Sequence, residues 1–165
     1  MKGQSSLEEL HALANTVRRV YNLMRFTTDQ LHAETGITAP KRTLLMDLHR
    51  YGPQTVPALA ASRCISRQII QAQVNELKKA GYLESRSNPE HKRSKLIALT
   101  QSGQELVDAM VEVEDAFLKQ LDWLPERQAL KDCRGVLESI CEKLIGYESK
   151  AKPESGLSFT ERHGS

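Results

Sequence analysis

Cysteine, aromatic residues and long apolar runs are all scarce in this sequence. Its three cysteines, Cys64, Cys133 and Cys141, are too few and too irregularly spaced for a disulfide framework. Cys133 and Cys141 fall on one predicted helix, about 12 Å apart by helical rise, out of reach of a disulfide within it. A reducing compartment follows. No stretch approaches the roughly 20 apolar residues of a membrane span, and the opening "MKGQSSLEELHAL" has no apolar segment of signal-peptide length. The expected location is the cytoplasm. Charge of one sign is lacking too: 23 basic against 21 acidic side chains leave a net +2, so the total gives no reason to expect a polyanionic partner. Nothing matches HExxH, paired CxxC, GxSxG or a Gly-rich phosphate loop, and no pair of catalytic carboxylates stands out. His11, His32, His49, His91 and His163 have no ligand spacing. These absences argue against an enzyme, a bound metal and a cofactor.

What is present is an uneven distribution of charge. From Arg63 to Lys95 there are eight basic residues against three acidic ones, Glu76, Glu84 and Glu90, a local excess of five that leaves the remainder at −3. A single electropositive segment in an acidic setting suits a local polyanion site. Within it, His91, Lys92, Arg93 and Lys95 cluster where two short runs meet, "YLESRS" and "SKLIALT", that read as a β-hairpin with a projecting, proline-containing connection. A basic tip of this kind also serves simply to keep an edge strand soluble.

At 165 residues the chain suits one globular domain with a long helical extension. Leu7, Leu10, Ala14, Val17, Tyr21, Met24, Thr28 and Leu31 alternate at three- and four-residue spacing, which predicts one long amphipathic helix ending near Gly36. A seam of that length and heptad-like spacing suits a partner helix. Pro40 opens a second helix, "KRTLLMDLHRY", which Gly52 and Pro53 end. Thr55 caps a short helix, "VPALAAS", and after Arg63, Cys64 and Ile65, Ser66 caps "RQIIQAQVNELKKA", which Gly81 closes. Two helices joined by about four residues outline a helix-turn-helix. After the hairpin, Thr100 caps a helix running to about Leu121 with Leu106, Met110, Val113, Phe117 and Leu121 on one face. Pro125 starts a last helix, with Leu130, Cys133, Leu137, Ile140 and Leu144 at helical spacing, so that Cys133 is expected in the core. Beyond Lys150 the sequence loses periodicity and reads as disordered.

A helix-turn-helix followed at once by a hairpin is a winged helix. Placed at 100° per residue, residues 66–80 put Ile70, Val74 and Leu77 on a buried stripe and Gln68, Gln71, Asn75 and Lys79 on the opposite face. Amides read adenine in the major groove, and Arg67 suits guanine or a phosphate. An arginine on the wing suits the narrow minor groove beside it.

The stretch "ISRQIIQAQVNELKKAGYLESRSNPEHKRSKLIALTQSGQEL", residues 65–106, resembles the central signature of the MarR family of winged-helix transcriptional regulators. The Ser-Arg-Gln helix start, the "NELKKAGYLE" helix exit, Arg93 on the wing and the "LTQSG" start of the following helix carry the resemblance. Asn88 and His91 stand where the family often has aspartates around its wing arginine, and Arg63-Cys64 replaces an apolar residue and glycine. The resemblance implies a fold that is mainly α with a small β-hairpin wing. It divides the chain into an N-terminal dimerisation helix (5–36), a winged helix-turn-helix DNA-binding lobe (38–100), C-terminal dimerisation helices (101–148) and a disordered tail (149–165). It further implies a homodimer on a pseudo-palindromic double-stranded DNA site, and a repressor released by a small ligand or by cysteine oxidation.

The expected DNA contacts are Ser66, Arg67, Gln68, Gln71, Asn75, Lys79, His91, Lys92, Arg93 and Lys95. Family ligands bind where the first helix meets the second and the DNA-binding lobe, which makes Arg18, Tyr21, Arg25, Met46 and His49 the candidates for holding an anionic aromatic effector. Two alternatives share the scaffold. One is a protein–protein adaptor that reads no DNA. The other is a thiol switch at Cys64, whose neighbours Arg63 and Arg67 would favour a thiolate.

Overall fold

In this computed structural model, which describes residues 2–89, 93–121 and 124–151, the elements follow the order α1 (Lys2–Leu31), a 3₁₀ turn (Ala33–Thr35), α2 (Ala39–Tyr51), β1 (Gln54–Thr55), α3 (Val56–Arg63), α4 (Arg67–Lys79), β2 (Leu83–Arg86), β3 (Leu96–Leu99), α5 (Gln101–Gln120) and α6 (Arg127–Ala151). The chain is mainly helical with one small antiparallel sheet, a winged helix. The residues of the expected tail from 152 onwards lie outside the described ones.

Local chemistry explains most boundaries. Thr55, Ser66 and Thr100 each sit in extended backbone and accept a hydrogen bond from the amide three residues on, at Ala58, Ile69 and Gly103. Gly36 follows the 3₁₀ turn that ends the first helical stretch, with φ at +65°. At the end of α4 the Tyr82 amide bonds the Leu77 carbonyl at 3.0 Å and the Gly81 amide bonds Lys78, while Gly81 has φ +84°. That is a Schellman closure, and the positive φ is what requires glycine there.

The core forms where α2, α3, α4 and the sheet converge, on Leu44, Leu45, Leu59, Ile70, Val74 and Leu77, with Val107 of α5 closing it from behind. Each such side chain contributes roughly 1.5–3 kcal/mol by leaving water. The buried stripe of α4 is the one the helical period requires.

The sheet runs β1-β3-β2, so the hairpin's second strand is central. β1, two residues long, pairs Gln54 with Ile97 and Thr55 with Leu96. Sequence pattern does not reveal β1, because two residues carry no alternation. Only the partner strand makes them a strand.

Two expectations about the long helices need correction. On α5 the buried positions are Gly103, Val107 and Met110, with Leu106 and Phe117 half-buried, whereas Val113 and Leu121 are 42% and 44% exposed. The helix is rotated so that the Gly103 side meets the lobe. Cys133 is exposed, not core, and so is Cys141, because α6 lies off the lobe, with Leu130, Val136 and Leu144 also exposed. The seam of α1 is open in the single chain: Leu7, Leu10, Val17, Tyr21 and Met24 are 40–64% exposed.

Polar ties fix the base of α1 to the lobe. Arg42, 5% exposed, donates to Asp29 Oδ1 at 2.9 Å, to Thr28 Oγ1 at 3.0 Å and to the Ile37 carbonyl at 3.2 Å. His32, at 3% exposure, meets Glu114 of α5. No helix of the described residues is long and apolar enough to cross a membrane.

Candidate nucleic-acid interface

One side of the lobe carries a cleft of about 760 Å³ between α4 and the hairpin. Arg67, Gln68, Gln71 and Asn75 line it from α4, and Arg93 and Lys95 from the hairpin. Six of the ten expected DNA contacts therefore share one surface. Their side chains are exposed, as a groove-reading surface demands. Val56 and Pro57 at the start of α3, with Ala72 of α4, supply its apolar part.

Several bonds hold the parts in register. Lys78 Nζ donates to Ser85 Oγ at 2.9 Å, joining α4 to β2, and Lys41 pairs with Glu76, joining α2 to α4. On α4 itself Gln71 Nε2 donates to Asn75 Oδ1 at 2.9 Å. Arg86 is taken up by Glu84 on its own strand at 2.7 Å, so that among the described residues Arg93 and Lys95 are the hairpin cations in the cleft.

The remaining expected contacts are placed differently. Ser66 is half-buried and its hydroxyl caps α4, accepting from the Ile69 amide at 3.3 Å. Lys79 is exposed in the last turn of α4 and outside the cleft. His91 and Lys92 lie outside the described residues.

Cys64 adopts the left-handed conformation at φ +52°, the conformation for which glycine is the usual residue, so the turn keeps its shape with cysteine in it. Its thiol is exposed. Arg63 does not turn toward that thiol: its Nε bonds Asp47 Oδ2 of α2 at 2.8 Å.

The five candidate effector residues do not form one site in the single chain. Arg18 bonds Asn15 on its own helix, Tyr21 is 64% exposed, and Met46 packs against the core. His49 lies 3.3 Å from Asp108 of α5, and Arg25 is exposed. A second cleft, of about 780 Å³, lies elsewhere, between Leu10 of α1 and Val136, Ile140 and Leu144 of α6. Among the described residues no group of three His, Cys, Asp or Glu side chains comes together as for a metal.

The family model for the MarR family matches residues 35–94, which span α2 to β2 and include Arg93 of the cleft. The uncharacterized protein Rv2011c of Mycobacterium tuberculosis is 30% identical over 105 residues, 64% of this chain and 73% of that protein. Among solved structures, AbfR of Staphylococcus epidermidis superposes with a TM-score of 0.75 at 21% identity, over 88% of this chain and 99% of that one. Reduced AbfR bound to DNA gives 0.66 at 23% identity, over 88% and 99%. CouR from Rhodococcus jostii RHA1, bound to p-coumaroyl-CoA, gives 0.68 at 22% identity, over 78% and 90%.

Proposed function

This chain belongs to the MarR family, and we propose that it is a cytoplasmic transcriptional regulator that binds double-stranded DNA sequence-specifically as a homodimer. The observation that carries the reading is the cleft in which amides of α4 face the same space as Arg93 and Lys95 of the hairpin. Major-groove reading needs donors and acceptors on a helix face, and minor-groove docking needs a cation beside it. In this reading Gln68, Gln71 and Asn75 meet base edges. Arg67 takes a guanine or a phosphate, and Arg93 enters the minor groove. Ser66, Lys79, His91, Lys92 and Lys95 hold the sugar–phosphate backbone.

The homodimer is supported by the open apolar seam of α1 and the exposed Leu130, Val136, Leu144 and Ile145 of α6. So many large apolar side chains at 40% exposure or more make a patch that a soluble protein covers. Two lobes related by a two-fold axis fit a pseudo-palindromic site.

Repression relieved by a small molecule is the regulatory part of the proposal, supported by the ligand-bound state of CouR. A ligand acts only by binding the DNA-incompetent arrangement more tightly. Arg18, Tyr21, Arg25, Met46 and His49, which the single chain does not bring together, are proposed to hold an anionic aromatic effector in the dimer.

The test is a titration of the full chain on the fragment next to its own coding region and on a scrambled fragment of equal length. A regulator prefers the first by roughly a thousand-fold or more at physiological salt. Equal binding to both would leave the adaptor as the better reading.

A further inference from the structure

We infer that Gln71 and Asn75 read DNA as one coupled unit, and that this unit selects an A·T pair over a G·C pair in the major groove. The inference rests on the DNA reading above and adds the class of sequence recognised. Gln68, Gln71, Ala72 and Asn75 line the cleft at intervals of three, one and three residues, the spacing of a single helix face. Arg67 lines the cleft as well, one turn before Gln71 at the start of α4, but from Gln68 to Asn75 the helix carries no lysine or arginine. Guanine presents two acceptors, O6 and N7, and is read best by the paired donors of Arg or Lys. This face offers amides and a methyl group instead.

The bond from Gln71 Nε2 to Asn75 Oδ1 sets which atoms remain for the base. A glutamine amide has two N–H donors and one carbonyl oxygen. With one N–H spent on Asn75, Gln71 keeps Oε1 and its other N–H. That donor–acceptor pair complements the N6–H and N7 of adenine. Against guanine it would set Oε1 toward O6, two acceptors facing each other. Asn75, its oxygen engaged, keeps both N–H donors for an acceptor on the neighbouring pair, thymine O4 or a purine N7. Ala72 lies between the two amides and suits the thymine C5 methyl.

Asn75 thus acts on the base pair under Gln71 as a positioning residue, by holding the amide, and on its own pair by direct donation. Both side chains are exposed, so their replacement leaves the core intact.

The experiment is selection from a randomised duplex pool with the full chain, followed by titration of the selected duplex with single changes at the step under α4. An inosine·cytosine pair keeps an A·T-like minor groove but shows the major groove of G·C, so it isolates the amides from Arg93. The parent should bind that pair roughly five- to hundred-fold more weakly. Uracil in place of thymine, which removes only the methyl group, should cost about four-fold. Gln71→Ala should bind the A·T and inosine·cytosine duplexes within about two-fold of each other, following from the loss of the reading pair. Asn75→Ala should blunt the preference at the pair under Gln71 as well as at its own. Enrichment of G·C at that step, or an inosine·cytosine pair bound like A·T by the parent, overturns the inference. An Asn75→Ala variant with full preference under Gln71 overturns the coupling. A pool with no enriched sequence would instead remove the DNA reading on which it rests.

Discussion

His32 Nε2 and Glu114 Oε1 meet at 2.9 Å, across 82 positions of sequence, and pin the end of α1 to the middle of α5. The imidazole is buried and the carboxylate is its partner. Glu114→Ala strands a buried polar group, which costs about 1–3 kcal/mol. Glu114→Gln keeps a hydrogen-bonding partner and should lose less. Chemical denaturation of the three proteins checks the order, and a Glu114→Ala midpoint equal to the parent's would show the pair to be idle.

Gly103 sets α5 directly against the chain leaving α4. A Cβ built there would lie 2.1 Å from the Tyr82 carbonyl oxygen and 3.2 Å from Leu99 Cδ2. The carbonyl is backbone, and it accepts from the Thr100 amide at 3.0 Å, so it has no easy retreat. Gly103→Ala should therefore destabilise by about 1–3 kcal/mol, although alanine is the better helix former. A rise in melting temperature would contradict this.

Val17 is 40% exposed in the single chain, where Val17→Asp would cost little. At a dimer interface the same change buries an unpaired carboxylate. Sedimentation equilibrium should show the parent as a dimer at micromolar concentration and Val17→Asp as monomer or unfolded chain. A variant that stays dimeric rules α1 out of the interface.

In the proposed reading Arg93 and Lys95 neutralise phosphate charge whereas Gln71 reads a base, so salt separates them. Removing one cation from a phosphate should flatten the plot of log affinity against log salt by about 0.9. In the proposed dimer Lys95→Ala removes two such cations, one per subunit, and should flatten the plot by about 1.8 on any sequence. Arg93→Ala should weaken binding most on duplexes with narrow, A·T-rich flanks. Gln71→Ala should leave the slope nearly unchanged and cost about 1–3 kcal/mol per half-site. An Arg93→Ala variant that binds like the parent would mark the basic tip as a solubility device.

Cys64 occupies left-handed backbone with its thiol exposed. Cys64→Gly relieves the strain of a side chain there, a gain of roughly 1 kcal/mol before the unfolded chain's extra freedom is subtracted. A β-branched Cys64→Val should be the least stable of the three. Thermal melts rank them. Cys64→Ser, compared with the parent under peroxide, tests the thiol switch separately: if DNA binding by the parent resists oxidant, the switch falls.

Where the sequence proved readable, a local rule sufficed. The caps at Thr55, Ser66 and Thr100 and the positive-φ Gly36 and Gly81 need only a few neighbouring residues, and the stripe of Ile70, Val74 and Leu77 needs only the helical period. The grouping of Gln68, Gln71 and Asn75 was legible for the same reason. Arg42 and His32 were not, because what buries them lies 13 and 82 positions away, at Asp29 and Glu114. The expected core position of Cys133 failed for a related reason. Its apolar stripe is real, but no surface among the described residues covers it.

Thr55 belongs at once to β1, paired with the central strand of the hairpin, and to the N-cap of α3. The hairpin is thereby anchored to the first residue of the helix-turn-helix, and Lys78 and Ser85 brace it from the other side. Within one lobe these ties set the spacing between α4 and the base of the hairpin. For the dimer proposed here, the adjustable quantity is the separation of the two lobes. An effector then needs to change a length and leave the shape of either reading head as it is.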